Sequence, residues 1–271
     1  MNKMMNLDKD YEELYTELLN HYWEQIRDGE LTAAPMFVGK RYDESRAKLM
    51  IVGRAVNGWE IKNADCSTPE NVVRSVLLQP SGLDDVTHKG GMKYLDETGT
   101  EKTYYYTRSR FWKLVKAILE AFGESEKDNW YDDPFQWNER ILWSNLYKLA
   151  PKAGGNPGWK LIEETVKVNI EILKEEIELK KPENILFIVN ANTTSGDKAS
   201  ASAYFSLYKD LPSFEKELGI SIDKIGERVV GKGHYNGSNV VVCVRPEKMS
   251  NAEIEVFAHE IKSALESIEA K

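Results

Sequence analysis

Three short stretches of this sequence are apolar without interruption and rich in branched side chains, at 49–52, 185–189 and 240–244. A strand with one face in water alternates apolar and polar residues. A continuously apolar strand is covered on both faces, as in a parallel sheet with helices on either side. A fourth, shorter run at 141–143 reads as another strand of the same kind. Between these runs lie segments with helical spacing at 110–122, 160–180 and 252–268. An amphipathic N-terminal helix is expected at about 8–28, with Leu14, Leu18, Tyr22 and Ile26 on one face. Strands that alternate with helices predict an α/β fold: a three-layer α/β/α sandwich on a mostly parallel central sheet.

Nothing in the chain marks a linker or an internal repeat, so residues 1–271 are expected to form a single α/β domain. The stretch 79–106 stands apart. It carries Gly82, Gly90, Gly91 and Gly99, and it reads as an inserted loop with a small hairpin, 92–95 turning back through 96–99 into 103–106. No apolar run approaches the roughly 20 residues that span a bilayer. The first ten residues are polar, unlike a secretory signal. Cys66 and Cys243 match no metal spacing, and Cys243 lies inside an apolar run, as a buried thiol in a reducing compartment would. These features together predict a cytoplasmic protein without a membrane partner. A net charge of −8 argues against coating nucleic acid through bulk electrostatics, but leaves room for a local basic face.

Ligands of open α/β sheets bind beyond the carboxyl ends of the strands. The residues there carry the functional reading. After the first strand comes Gly53-Arg54-Ala55-Val56-Asn57-Gly58-Trp59-Glu60. Its glycines allow either a plain strand-to-loop turn or close approach of the backbone to an anion. Neither the dinucleotide fingerprint nor the phosphate-binding P-loop pattern is present. After the fourth strand comes Ser144-Asn145-Leu146-Tyr147-Lys148. Asn145 either recognises the edge of a heterocycle through its carbonyl and amide, or caps its own loop. Arg245 follows the last strand, placed either to grip a phosphate or to form a structural ion pair. Ser250 and Glu253 form a capping box for the final helix. From 145 to 160 there are three lysines and no acid, whereas 161–180 has six glutamates against three lysines. A mildly basic strand-end face is compatible with a phosphate-bearing ligand. His234, within Gly231-Lys232-Gly233-His234-Tyr235, reads as a loop residue, either solvated or offering an imidazole near Arg245. His21 and His259 fall on helices and His88 in the insertion, so no metal cluster is expected.

In order and spacing these signals resemble the uracil-DNA glycosylase superfamily over most of the chain, from about residue 49 onward. Gly53-Arg54-Ala55-Val56-Asn57-Gly58 stands where that superfamily has a Gly-x-[Asp/Asn/Glu]-Pro-Gly-type loop. Ser109-Arg110-Phe111-Trp112 resembles its helix start, and Ser144-Asn145 its strand ending in asparagine. Lys181-Pro182-Glu183-Asn184-Ile185 and Arg245-Pro246-Glu247 occupy the places of two later motifs. The resemblance implies a nucleobase-binding pocket for DNA repair, with Asn145 pairing to a flipped base and Trp59 as the nearest aromatic to stack on it. Gly53, Arg54, Gly58, Lys148 and His234 would complete the ligand-binding surface.

The departures fall on catalysis. Ala55 stands where the family places its acid or asparagine, and Arg245 where it places a histidine. If the chain cleaves an N-glycosidic bond, Asn57 would position water and Arg245 would stabilise the leaving base. The alternative is a catalytically inactive member of the fold that binds a nucleotide, an oligonucleotide or a protein partner. Two cysteines are too few for the iron–sulfur cluster of some branches, and no cofactor is expected.

Overall fold

A computed structural model describes residues 9–55, 68–71, 73, 92–95, 100–105, 108–124, 137–189, 219 and 221–268. Seven strands form the main sheet, in the order β2 (Phe37–Val38), β6 (Leu142–Asn145), β3 (Leu49–Gly53), β8 (Asn184–Ile188), β11 (Ser238–Cys243), β10 (Val229–Tyr235) and β9 (Ser221–Lys224). The four central strands β6, β3, β8 and β11 are parallel to one another. At the edges β2, β10 and β9 run antiparallel to their neighbours. The expectation of a mostly parallel sheet therefore describes the centre, while hairpin and edge pairings close both sides. Two small ribbons complete the strands: β1 (Leu31–Ala33) with β7 (Leu149–Pro151), and β4 (Met92–Leu95) with β5 (Glu101–Tyr104). The second is the hairpin expected in the insertion, with its return strand beginning two residues earlier than 103.

The alternating side chains of the central strands feed two cores. Leu49, Ile51, Leu186, Ile188, Val241 and Cys243 pack against α2 (Arg110–Ala121) and α4 (Asn251–Glu266). Met50, Val52, Ile185, Phe187, Val240 and Val242 face the other way, toward α3 (Trp159–Lys180). Helices thus cover both faces of the sheet, which explains the uninterrupted apolar runs 49–52, 185–188 and 240–243 within these strands. The N-terminal helix α1 (Lys9–Arg27) lays Tyr11, Tyr15, Leu18, Leu19 and Tyr22 against a third cluster that includes Ile172 of α3 and Ala33 and Leu149 of the β1–β7 ribbon. The helix ends are set locally. Ser109 Oγ accepts from Trp112 N at the start of α2. Ser250 and Glu253 form the anticipated capping box on α4. Lys181 takes a left-handed conformation (φ 43°) to close α3, and Pro182 bars its continuation.

In the order β6, β3, β8, β11 the chain passes from β3 to β6 on one side and from β8 to β11 on the other, so the topological switch point of this open α/β sheet lies at the carboxyl ends of β3 and β8. Gly53 and Asn145, partners in the β3–β6 register, stand beside it at the carboxyl ends of their strands.

Candidate functional site at the strand ends

Gly53 and Asn145 are held together by the ladder itself. Beyond them Leu146 N donates to Gly53 O at 2.9 Å and Tyr147 N to Arg54 O at 2.8 Å, which carries the parallel pairing into the loop. A β-carbon on Gly53 would lie 2.7 Å from Asn145 Oδ1, with Phe111 Cζ and Trp143 Nε1 each at 3.7 Å. The space left by the glycine holds the Asn145 carboxamide, and any side chain there would displace it. Asn145 is only 3% exposed. Among the described residues its side chain has no hydrogen-bond partner, so it does not cap its own loop. Its polar atoms are not among those sealed from both solvent and partners, so water or a ligand can reach them.

Phe111 is the aromatic that the fold delivers to this point. It sits in the first turn of α2, half-buried against the core, and touches the position above Gly53. It escaped the sequence reading, which singled out Trp59. The usable signal was its place one residue into the helix that precedes β6 in the chain. Asn57, Gly58 and Trp59 lie outside the described residues, as does Cys66.

Arg54 and Arg245, which leave β3 and β11, converge on one carboxylate. Arg245 Nη1 lies 2.9 Å from Glu247 Oε1, and Arg54 Nη2 lies 3.7 Å from the same oxygen. The two guanidinium side chains are 27% and 14% exposed, whereas Glu247 is 55% exposed. Burial pulls Arg245 below its ordinary range, and the Glu247 charge and hydrogen bond push it back. A cavity of about 180 Å³ opens here, lined by Ser109, Arg110, Phe111, Arg245, Pro246 and Glu247. Phe111 thus belongs both to this cavity and to the surroundings of Gly53 and Asn145. A larger, shallower depression lies between the β9–β10 turn and α4, around Ile225, Val256 and His259. It is remote from the switch point.

Two expected ligand-binding residues are elsewhere. The Lys148 side chain is completely buried, and its ammonium donates to Glu176 Oε2 and to Ser144 Oγ, each at 2.6 Å. Desolvation draws its pKa down, opposed by the Glu176 charge. It is a structural cation under the Asn145 loop and does not face a ligand. His234 is also misplaced by the sequence reading, because 229–235 is strand β10 and not a loop. His234 pairs with Asn239 at the start of β11, while Arg245 lies beyond its end. Six residues of strand separate the two, about 20 Å, so the imidazole is at the opposite pole of the sheet.

Among the described residues no group of three or more His, Cys, Asp or Glu is arranged to hold a metal. None of the described helices is long and apolar enough to cross a membrane. Cys243 is fully buried, and burial pushes its thiol well above the ordinary range. What the strand-end site offers chemically is a carboxamide without a hydrogen-bond partner among the described residues, the rings of Phe111 and Trp143 beside Gly53, and two arginines at a carboxylate. No protein-family model matches the chain, and no curated protein matches it.

Proposed function

We propose that this chain has a uracil-DNA glycosylase-like fold and binds a nucleobase of nucleic acid at the β3–β6 strand ends, cleaving its N-glycosidic bond in DNA repair. The observation that carries the proposal is the Asn145 carboxamide, buried and without a hydrogen-bond partner among the described residues, in the space left by Gly53. A carboxamide presents a donor and an acceptor side by side, which matches the edge of a pyrimidine or purine. Phe111 supplies an apolar face beside it for stacking. Reaching such a buried group requires the base to leave the duplex stack, which is the mode of enzymes that act on single bases. Asn57 would position the water, and Arg245 would oppose charge on the departing base.

The test is release of free base from single- and double-stranded oligonucleotides that carry uracil, hypoxanthine or xanthine, with Asn145→Ala beside the wild type. Release that disappears in the variant is expected. Absence of release, together with oligonucleotide affinity indifferent to Asn145→Ala, would overturn the proposal.

A second reading, a binding protein without catalysis, is favoured by two particulars. Ala55 has no polar side chain to activate water, and the Arg245 guanidinium is engaged with Glu247. That reading keeps the dependence of affinity on Asn145 but predicts no release.

A further inference from the structure

We propose that Glu247 is a resident stand-in for phosphate: the Arg54–Arg245 pair at the mouth of the site binds the phosphate group of a ligand, and Glu247 swings out to admit it. The inference rests on the strand-end site described above and adds a second ligand group to it.

Three observations support it. Both arginines contact the same carboxylate oxygen, Glu247 Oε1, from loops that follow different strands. Two guanidinium groups converging on one oxyanion is how proteins grip phosphate, whose tetrahedral oxygens serve both forks at once. The two contacts are unequal, 2.9 Å from Arg245 and 3.7 Å from Arg54. The arginines are also much less exposed than the acid they share. Ion pairs made by an exposed carboxylate are weak, so an incoming anion that engages both arginines displaces it readily. Lastly, the cavity lined by Arg245 and Glu247 has room for a phosphate and is bounded by the start of α2 at Ser109, Arg110 and Phe111. The leading amides of a helix have no intrahelical acceptor and favour an anion.

Phe111 lines this cavity and also approaches Gly53 beside Asn145. A ligand that places a base against Asn145 would thus carry its phosphate past Phe111 toward the arginines. Glu247 then discriminates by charge: neutral ligands leave it in place, and only an anionic one replaces it.

The experiment is calorimetric titration of the full chain with inorganic phosphate at low ionic strength, and separately with an abasic single-stranded oligonucleotide. Glu247→Gln removes the competing charge on an exposed side chain and is expected to tighten phosphate binding by about three- to tenfold. Arg245→Gln and Arg54→Gln are expected to weaken it about tenfold, while Asn145→Ala leaves it unchanged. The same pattern with the abasic oligonucleotide assigns the ligand group to a phosphodiester backbone; its restriction to inorganic phosphate assigns it to a terminal phosphate. Unchanged or weaker phosphate binding in Glu247→Gln would overturn the inference, whatever the arginine variants do. Because neither probe carries a base, failure here leaves the Asn145 proposal standing, and loss of Asn145-dependent activity leaves this one standing.

Discussion

At Gly53 a single methyl group separates two outcomes. Its β-carbon would meet Asn145 Oδ1 at 2.7 Å, and the flexible end of a side chain can move away where a backbone could not. Gly53 is not among the glycines with positive φ, so alanine suits its backbone and the conflict is one of space alone. Gly53→Ala should therefore keep the fold, at about 1–3 kcal/mol for overpacking, while turning the carboxamide out of register. Misaligning a bidentate pair forfeits about 1–3 kcal/mol, so base release or oligonucleotide affinity should fall about 5- to 150-fold. Thermal melting beside the activity assay separates the two effects. Wild-type activity with a normal melting point would show that Asn145 does not need that space. The role of Asn145 was legible from its place at the end of an apolar run. Its lack of a partner among the described residues was not, because hydrogen bonding within a loop depends on neighbours brought in by other elements.

The loop that presents Asn145 is fixed from beneath by α3. Lys148 Nζ and Ser144 Oγ both donate to Glu176 Oε2, and Lys148 N donates to Asn169 Oδ1. The phenols of Tyr11 and Tyr15 reach the other oxygen of Glu176 at 3.4 and 3.5 Å, so α1 joins the same network. Lys148→Ala would leave Glu176 buried without its cation, which costs about 3–5 kcal/mol; chemical denaturation should show a loss of that size. Lys148→Met combined with Glu176→Gln removes both charges and should recover most of it. If the double variant is no more stable than Lys148→Ala, the carboxylate was not the source of the loss. Each of these elements was readable alone, as a helix with apolar spacing or a short buried strand. The pairing was hidden because the six glutamates of 161–180 look alike in sequence, and only the seating of α3 on the sheet selects Glu176. The same limit explains the antiparallel edges. β10 contains Gly231-Lys232-Gly233-His234, turn-like chemistry that becomes strand because β9 and β11 supply ladders on both sides.

Across the whole molecule, the buried phenols and the buried thiol set the response to alkali. Tyr11 and Tyr15 are held well above the ordinary range, chiefly by burial, with the Glu176 charge adding to it. Burial and the hydrogen bond to Glu164 raise Tyr22 to about 12. Burial likewise raises Tyr42, Tyr147, Tyr235 and Cys243. In the unfolded chain these groups lose their protons at ordinary values, about 8.5 for cysteine and about 10 for tyrosine. Above those values the folded state binds more protons than the unfolded state, so stability falls as pH rises. Lys148 acts in the opposite sense, because its lowered pKa means that the unfolded state binds the extra proton. With Arg245, also lowered by burial, that makes two groups against seven shifted the other way among the described residues, so the sum keeps its sign. The urea midpoint should hold near neutral pH, begin to drop above about pH 8.5 and fall most steeply at about pH 10–11. Cys243 should resist thiol reagents until that transition, since fully buried thiols react only when the sheet opens. A midpoint that rises through about pH 10 would mean that the tyrosines on α1 and the Cys243 strand are not packed together in one cooperative core.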